Sequence, residues 1–264
     1  MNWRGSGQSV LEMPFTGAEF GQIYEEAFAL LEELVDLPPG YSILFMQGGA
    51  YGQFAIIPMN LLRGIGKADY AITGHCSSRA AAEARKYGTV NVVTDNSGNG
   101  HTNVQPVGSW ALDPDAAYCH VTTNETANGV QLSALPDIGA VPLVADATSD
   151  FLTKPVDIER FGAIYASAQK NIGPAGLTIV IVRDELIGKP SSITPNVFDF
   201  GLLAANNSKV NTPPTWAVYI AGLVFKWILA EGGLKEMKSR NRNKASILYE
   251  AIDSSEFYYC PVAY

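Results

Sequence analysis

The connection joining two apolar, strand-like runs constrains this chain most. Phe161-Gly162-Ala163-Ile164-Tyr165-Ala166 and Leu177-Thr178-Ile179-Val180-Ile181-Val182 each read as a buried strand, being short, apolar and bounded by turn residues. Between them, Ser167-Ala168-Gln169-Lys170-Asn171-Ile172-Gly173-Pro174-Ala175-Gly176 is small, polar and glycine-rich, with a single lysine. Lys170 therefore lies on a tight connection between two core strands. An amine held there forms a Schiff base with a carbonyl compound when its surroundings leave it neutral part of the time. The alternative is a loop-tip lysine pointing to solvent.

A second run bears on that choice. Val141-Pro142-Leu143-Val144-Ala145-Asp146 is a short apolar strand ending in an acid, and a carboxylate there is costly without a partner. The protonated ring nitrogen of pyridoxal phosphate is such a partner, with the aldehyde carbon of the same molecule held by a lysine. The competing reading makes Asp146 the cap of the Thr148-Ser149-Asp150 turn.

Composition excludes several classes. The 264 residues are ample for a sizeable core, and a formal net charge of −8 argues against nucleic-acid binding by general electrostatics. No continuous apolar run is long enough to span a bilayer, and Met1-Asn2-Trp3-Arg4-Gly5 has no signal-peptide core, so neither a membrane nor export is expected. Cys76, Cys119 and Cys260 are odd in number and far apart, which fits reduced thiols in the cytoplasm. They make no metal-ligand spacing with His75, His101 and His120, so no metal is expected.

Along the chain, Thr16-Gly17-Ala18-Glu19 has the form of a capping box, followed by Phe20, Ile23, Tyr24, Ala27, Leu30, Leu31 and Leu34 at helical spacing. Ser42 to Met46 reads as a strand, Gly48-Gly49 as a turn and Gln53 to Leu62 as a helix, an arrangement that aims backbone N–H groups at an anion. A strand at 68–73, a helix at 77–87 and strands at 90–93 and 117–122 follow. Periodicity lapses after Pro190 and returns in Trp216 to Leu229, apolar nearly all round, and in the charged amphipathic stretch Leu234 to Ile252. Alternating strands and helices imply an α/β fold, with a mostly parallel sheet covered on both faces.

The lysine motif, with Ala145-Asp146-Ala147-Thr148-Ser149-Asp150-Phe151 upstream, resembles the phosphoserine aminotransferase family, class V pyridoxal-phosphate enzymes of serine synthesis. The resemblance recurs in Asn2-Trp3-Arg4-Gly5-Ser6-Gly7, Leu44-Phe45-Met46-Gln47-Gly48-Gly49-Ala50, Asn124-Glu125-Thr126 and Asn211-Thr212-Pro213-Pro214-Thr215, in order over nearly the whole chain. It implies the aspartate-aminotransferase-like fold type I, whose large domain has a mostly parallel seven-stranded sheet with helices on both faces. Residues 1–253 match that domain and 254–264 the start of a small C-terminal domain, so both ends are expected to be incomplete relative to the family.

The same resemblance implies a homodimer with sites at the subunit interface and amino-acid and oxo-acid substrates. Lys170 matches the Schiff-base lysine and proton shuttle, and Asp146 the partner of the pyridine nitrogen. Thr126 matches a contact near the 3′-oxygen; Ala50, Tyr51 and Gln169 match phosphate contacts; Asn211 and Thr212 match the pair reaching the neighbouring subunit's cofactor. Two departures stand out. Cys76 occupies the place of a tryptophan that stacks on the ring, and Phe15-Thr16 the place of a substrate-holding His-Arg pair, which leaves Thr16 as the substrate-side residue. The alternatives left open are another class V aminotransferase with a different substrate, and a cofactor-binding protein or interaction module with weak or no activity.

Overall fold

A computed structural model describes residues 2–262. Ala263 and Tyr264, the last residues of the segment expected to open a second domain, lie outside the described residues. Helix α1 (Ala18–Val35) buries Phe20, Ile23, Tyr24, Ala27, Leu31 and Leu34, the stripe its spacing dictates. Its start differs from the capping-box expectation: Gly17 is the N-cap, with no side-chain cap bond. A turn closed by the Gly17 N–H on the Pro14 carbonyl at 2.9 Å places Thr16 inside the turn, one residue too early to cap.

The main sheet holds β1 (Tyr41–Met46), β2 (Lys67–Ile72), β3 (Thr89–Asp95), β4 (Cys119–Thr122), β7 (Leu143–Asp146), β8 (Ala163–Ser167) and β9 (Thr178–Arg183), while β5 (Asn124–Glu125) and β6 (Val130–Gln131) form a separate small hairpin. The seven strands run in the spatial order β1-β9-β8-β7-β4-β2-β3. β8, β7, β4, β2 and β3 pair in parallel; β9 is antiparallel to both its neighbours and so runs against all the rest. The reason is length. The connection 168–177 is shorter than the dozen or more residues that a parallel crossover takes.

Alternation along each strand divides the core. Leu44, Met46, Tyr70, Val144, Tyr165 and Val180 pack under α2 (Gly49–Leu61), α3 (His75–Ala84) and α4 (Phe200–Ala205). Phe45, Val121, Ala145, Ile164 and Ile179 pack under α1, α5 (Thr215–Ala230) and the start of α6 (Gly233–Asp253). Each such side chain contributes about 1.5–3 kcal/mol, set against the entropy of ordering it. α5 approaches α1 closely because Gly222 faces Ala27, whose Cβ lies 3.0 Å from where a Cβ on Gly222 would be. α5 is not covered all round: Trp216, Leu223 and Trp227 are 39%, 46% and 50% exposed. The short α4, in the stretch where periodicity lapsed, is held by its Asp199 cap, whose carboxylate accepts the Gly201 N–H at 2.7 Å.

Candidate active site

The carboxyl ends of β4, β7 and β8 meet on the α2/α3 face, where α/β sheets bind their ligands. Period-2 alternation brings Thr122, Asp146 and Ser167 to that face, with Thr122 opposite Asp146 and Asp146 opposite Tyr165 in the register. Just past β8, Lys170 turns back: its Nζ donates to Thr126 Oγ1 at 2.5 Å, across 44 positions of sequence. Lys170, Thr126 and Gln169 are all exposed, so the site is an open shelf. A cavity of about 910 Å³ between residues 103–112 and 129–137 contains neither Lys170 nor Asp146.

Asp146 is 3% exposed, and one of its oxygens accepts the Thr148 N–H at 2.9 Å. The turn-capping alternative is thus realised, but by one N–H. Burial pushes the carboxyl up to about 6, helped by the nearby Glu125 charge and opposed by the Thr148 hydrogen bonds and Lys170. Among the described residues no cation makes an ion pair with it. Beside it, the buried Thr122 Oγ1 has no hydrogen-bond partner. A buried carboxylate without a counter-ion and an orphaned hydroxyl both fit a bound group that presents an N–H and polar substituents.

Cys76 starts the first turn of α3, with its N–H on Glu125 Oε2 at 2.8 Å. Burial, then the Glu125 and Asp146 charges, hold its thiol up at about 11, so at neutral pH it is an uncharged, half-buried wall. A thiol offers far less stacking area than an indole.

The start of α2 lies beside the strand ends that flank the lysine turn. Gly48 and Gly49 adopt φ of 103° and 65°, and the Gly49 N–H donates to Thr178 Oγ1 at 2.9 Å. A Cβ on Gly49 would lie 3.4 Å from Ser167 Oγ, so α2 starts close to the lysine turn, and it is the positive φ that favours glycine there. The next first-turn donors are the N–H groups of Ala50 and Tyr51. Ser167 Oγ in turn donates to Gln169 Oε1. Ala50, Tyr51 and Gln169 thus gather at one helix N-terminus, the arrangement that favours phosphate.

The remaining expected residues stand apart. Asn211 and Thr212 are exposed; the Thr212 carbonyl accepts Gln47 Nε2 at 2.8 Å, and Asn211 lines a small cavity with Gly48. Neither makes a hydrogen bond to Lys170 or Asp146. Thr16 is exposed ahead of α1 and shares no hydrogen bond with the other candidates. Among the described residues no group of three or more His, Cys, Asp or Glu is placed to hold a metal ion, and no single helix is long and apolar enough to cross a membrane.

Sequence reasoning gave Thr122, Ser167 and Glu125 no role. Glu125 is 0% exposed and binds two backbone N–H groups of α3. The one signal for it was an acid inside the otherwise uncharged run Thr122-Thr123-Asn124-Glu125-Thr126.

With this geometry in hand, comparison with known proteins is specific. The profile of class-V aminotransferases matches residues 1–263. The phosphoserine aminotransferase of Laribacter hongkongensis is 51% identical over 262 residues, covering 99% of this chain and 73% of that protein. The solved phosphoserine aminotransferase of Bacillus circulans subsp. alkalophilus superposes with a TM-score of 0.93 at 41% identity, covering 96% of this chain and 70% of that one. The pyridoxal-phosphate-bound enzyme of Trichomonas vaginalis gives 0.94 at 37% identity, covering 99% and 74%.

Proposed function

The chain belongs to the class-V aminotransferase family, and from that premise we propose that it is a phosphoserine:2-oxoglutarate aminotransferase of serine synthesis, working with pyridoxal phosphate. The observation that carries this reading is Lys170 Nζ held by Thr126 at the open sheet end that also buries Asp146. The cofactor supplies an electron sink for the carbanion formed when an amino acid loses its Cα proton. Lys170 Nζ would be the amine that bonds it and the base that takes and returns that proton. Thr126 Oγ1 orients Nζ, and the Asp146 carboxylate would accept the ring N–H. Ala50 and Tyr51 N–H groups with Gln169 would hold the phosphate at the start of α2. Cys76 would close the face beside the ring. Thr16 would stand on the substrate's side.

The test is spectroscopic. Phosphoserine alone should discharge the bound cofactor's absorbance, and 2-oxoglutarate should restore it. Discharge by a different amino donor with phosphoserine inert would replace this substrate by another, the alternative that Phe15-Thr16 favours.

The same reading includes a cytoplasmic homodimer with shared sites. Its supports are the three free cysteines, the exposed Trp216, Leu223 and Trp227, and Asn211 and Thr212 standing free of their own chain's Lys170. Mixing an Asn211→Ala chain with a Lys170→Ala chain should restore activity, since one site in each heterodimer then has neither defect. A mixture with confirmed exchange that stays inactive beside an active wild type removes the shared site.

A further inference from the structure

The β5/β6 hairpin that carries Thr126 cannot hold its own shape. It has two paired positions, Asn124 with Gln131 and Glu125 with Val130, and isolated hairpins of that size are unstable in water. Its anchorage comes from elsewhere. The fully buried Glu125 carboxylate accepts the Cys76 N–H on Oε2 at 2.8 Å and the Ser77 N–H on Oε1 at 2.9 Å. Asn128 Oδ1 accepts the His75 N–H at 3.0 Å, and Asn124 exchanges hydrogen bonds with Ser149 at 2.9 and 2.7 Å. The first-turn donors of α3 are thus filled by the hairpin, where the helix dipole favours a carboxylate.

We propose that Glu125 is a positioning residue for this site, docking the hairpin on the start of α3 so that Thr126 Oγ1 stands against Lys170 Nζ. Thr126 follows Glu125 directly in the chain, so a shift of the glutamate backbone is a shift of Thr126. A misplacement of about 1 Å costs up to about 10²-fold where geometry governs rate. Gly74 is part of the same lock: a Cβ there would lie 2.5 Å from Glu125 Cγ and Cδ, so only glycine lets the carboxylate reach the helix.

The proposal rests on the amino-transfer reading, and its test has a readout that does not need turnover. Glu125→Gln keeps the size but turns an N–H toward one of the two α3 donors. Pyridoxal phosphate affinity is measured by absorbance titration, and single-turnover amino transfer on the loaded protein, for Glu125→Gln, Thr126→Val and the double variant. Each single variant is expected to weaken affinity and slow transfer by about 10- to 100-fold, and the double variant to be little worse than the poorer single, because Glu125 acts through Thr126. Affinity and rate unchanged in Glu125→Gln beside a lowered Tm, or a double loss equal to the product of the two singles, overturns it. Should Glu125→Gln fail to fold, Gly74→Ala displaces the carboxylate while keeping it, and the same loss and non-additivity are expected; wild-type affinity in that variant is equally fatal. A wild type that binds the cofactor but discharges no amino donor sinks the aminotransferase reading instead, and the affinity comparison still decides the role of Glu125.

Discussion

Two chains of ionisable side chains lie end to end on the sheet face under α2 and α3. One runs through the interior: Tyr118 and Tyr70 share a hydroxyl hydrogen bond at 2.7 Å, Tyr70 stacks on His120 at 4.9 Å, and His120 Nε2 meets the Tyr165 hydroxyl at 2.8 Å. The other is the cluster of Asp146, Glu125, Cys76, Thr126 and Lys170 at the strand ends. Each contains strongly perturbed groups. Burial pushes His120 down to about 3 and the three phenols well above their usual range, just as it raises Asp146 to about 6. Perturbation alone therefore does not mark a site. The second cluster differs in having an exposed amine, glycines that admit backbone, and a helix start aimed at it. The interior chain has none of these, and although His120 Nδ1 is left without a partner, it serves packing.

The largest expected effect separates the two outright. Lys170→Ala should lower turnover by about 10⁴-fold or more while leaving the fold intact, since both the bonding amine and the proton carrier go. Tyr165→Phe, five residues before it, should leave turnover within about threefold yet cost about 1–3 kcal/mol of stability, because His120 Nε2 loses its partner in the interior. Steady-state kinetics and denaturant unfolding of both variants check this. A Tyr165→Phe enzyme as inactive as Lys170→Ala would erase the distinction.

Asp146→Asn sharpens the comparison by setting function against stability. Single-turnover transfer should fall about 10²- to 10³-fold. In cofactor-free protein the sign reverses: the folded carboxyl, at about 6 against an ordinary 3.8, binds its proton more readily than the unfolded one. The ionised form is thus a burden above pH 6 that is relieved as pH falls from 6 toward 4. Asparagine removes that burden, so the cofactor-free variant should be more stable at pH 8 by about 1–3 kcal/mol, with the gain gone near pH 4. Urea unfolding at the two pH values measures it, and a less stable variant at pH 8 would place Asp146 among the structural capping residues.

The smallest effect on turnover belongs to His120. Its folded pKa, about 3, lies below the ordinary 6.5, so the unfolded state takes up the proton first and stability is lost as pH falls from about 6.5 toward 3. His120→Gln should flatten that part of the stability profile without altering turnover at neutral pH. A profile unchanged by the substitution would mean that His120 is not what makes the interior acid-sensitive.

Much of this was legible in the residues. The runs ending at Asp146 and flanking Lys170 became β7, β8 and β9 within a residue or two, because an apolar β-branched stretch has little choice but burial on both faces. Helices α1, α5 and α6 followed from periodicity. The failures have physical reasons. The capping box at Thr16 failed because a preceding turn took the residue. The short α4 has too few turns to show a period. The β5/β6 hairpin has no strand composition, being held by side-chain bonds to α3 and to Ser149.

By itself the sequence determined most of the strands and helices, and that one lysine and one acid stand at strand ends, since local pattern and burial act over a few residues. Tertiary structure decided who meets whom. Thr126 reaches Lys170 across 44 positions and Glu125 reaches Cys76 across 49, contacts that exist only once the parallel register of β2, β4, β7 and β8 brings their ends level. It also left Asn211 and Thr212 exposed, away from Lys170 and Asp146. A hydrogen bond depends on angstroms between partners, and along a chain that distance is set by sheet register and helix docking, which no single segment encodes.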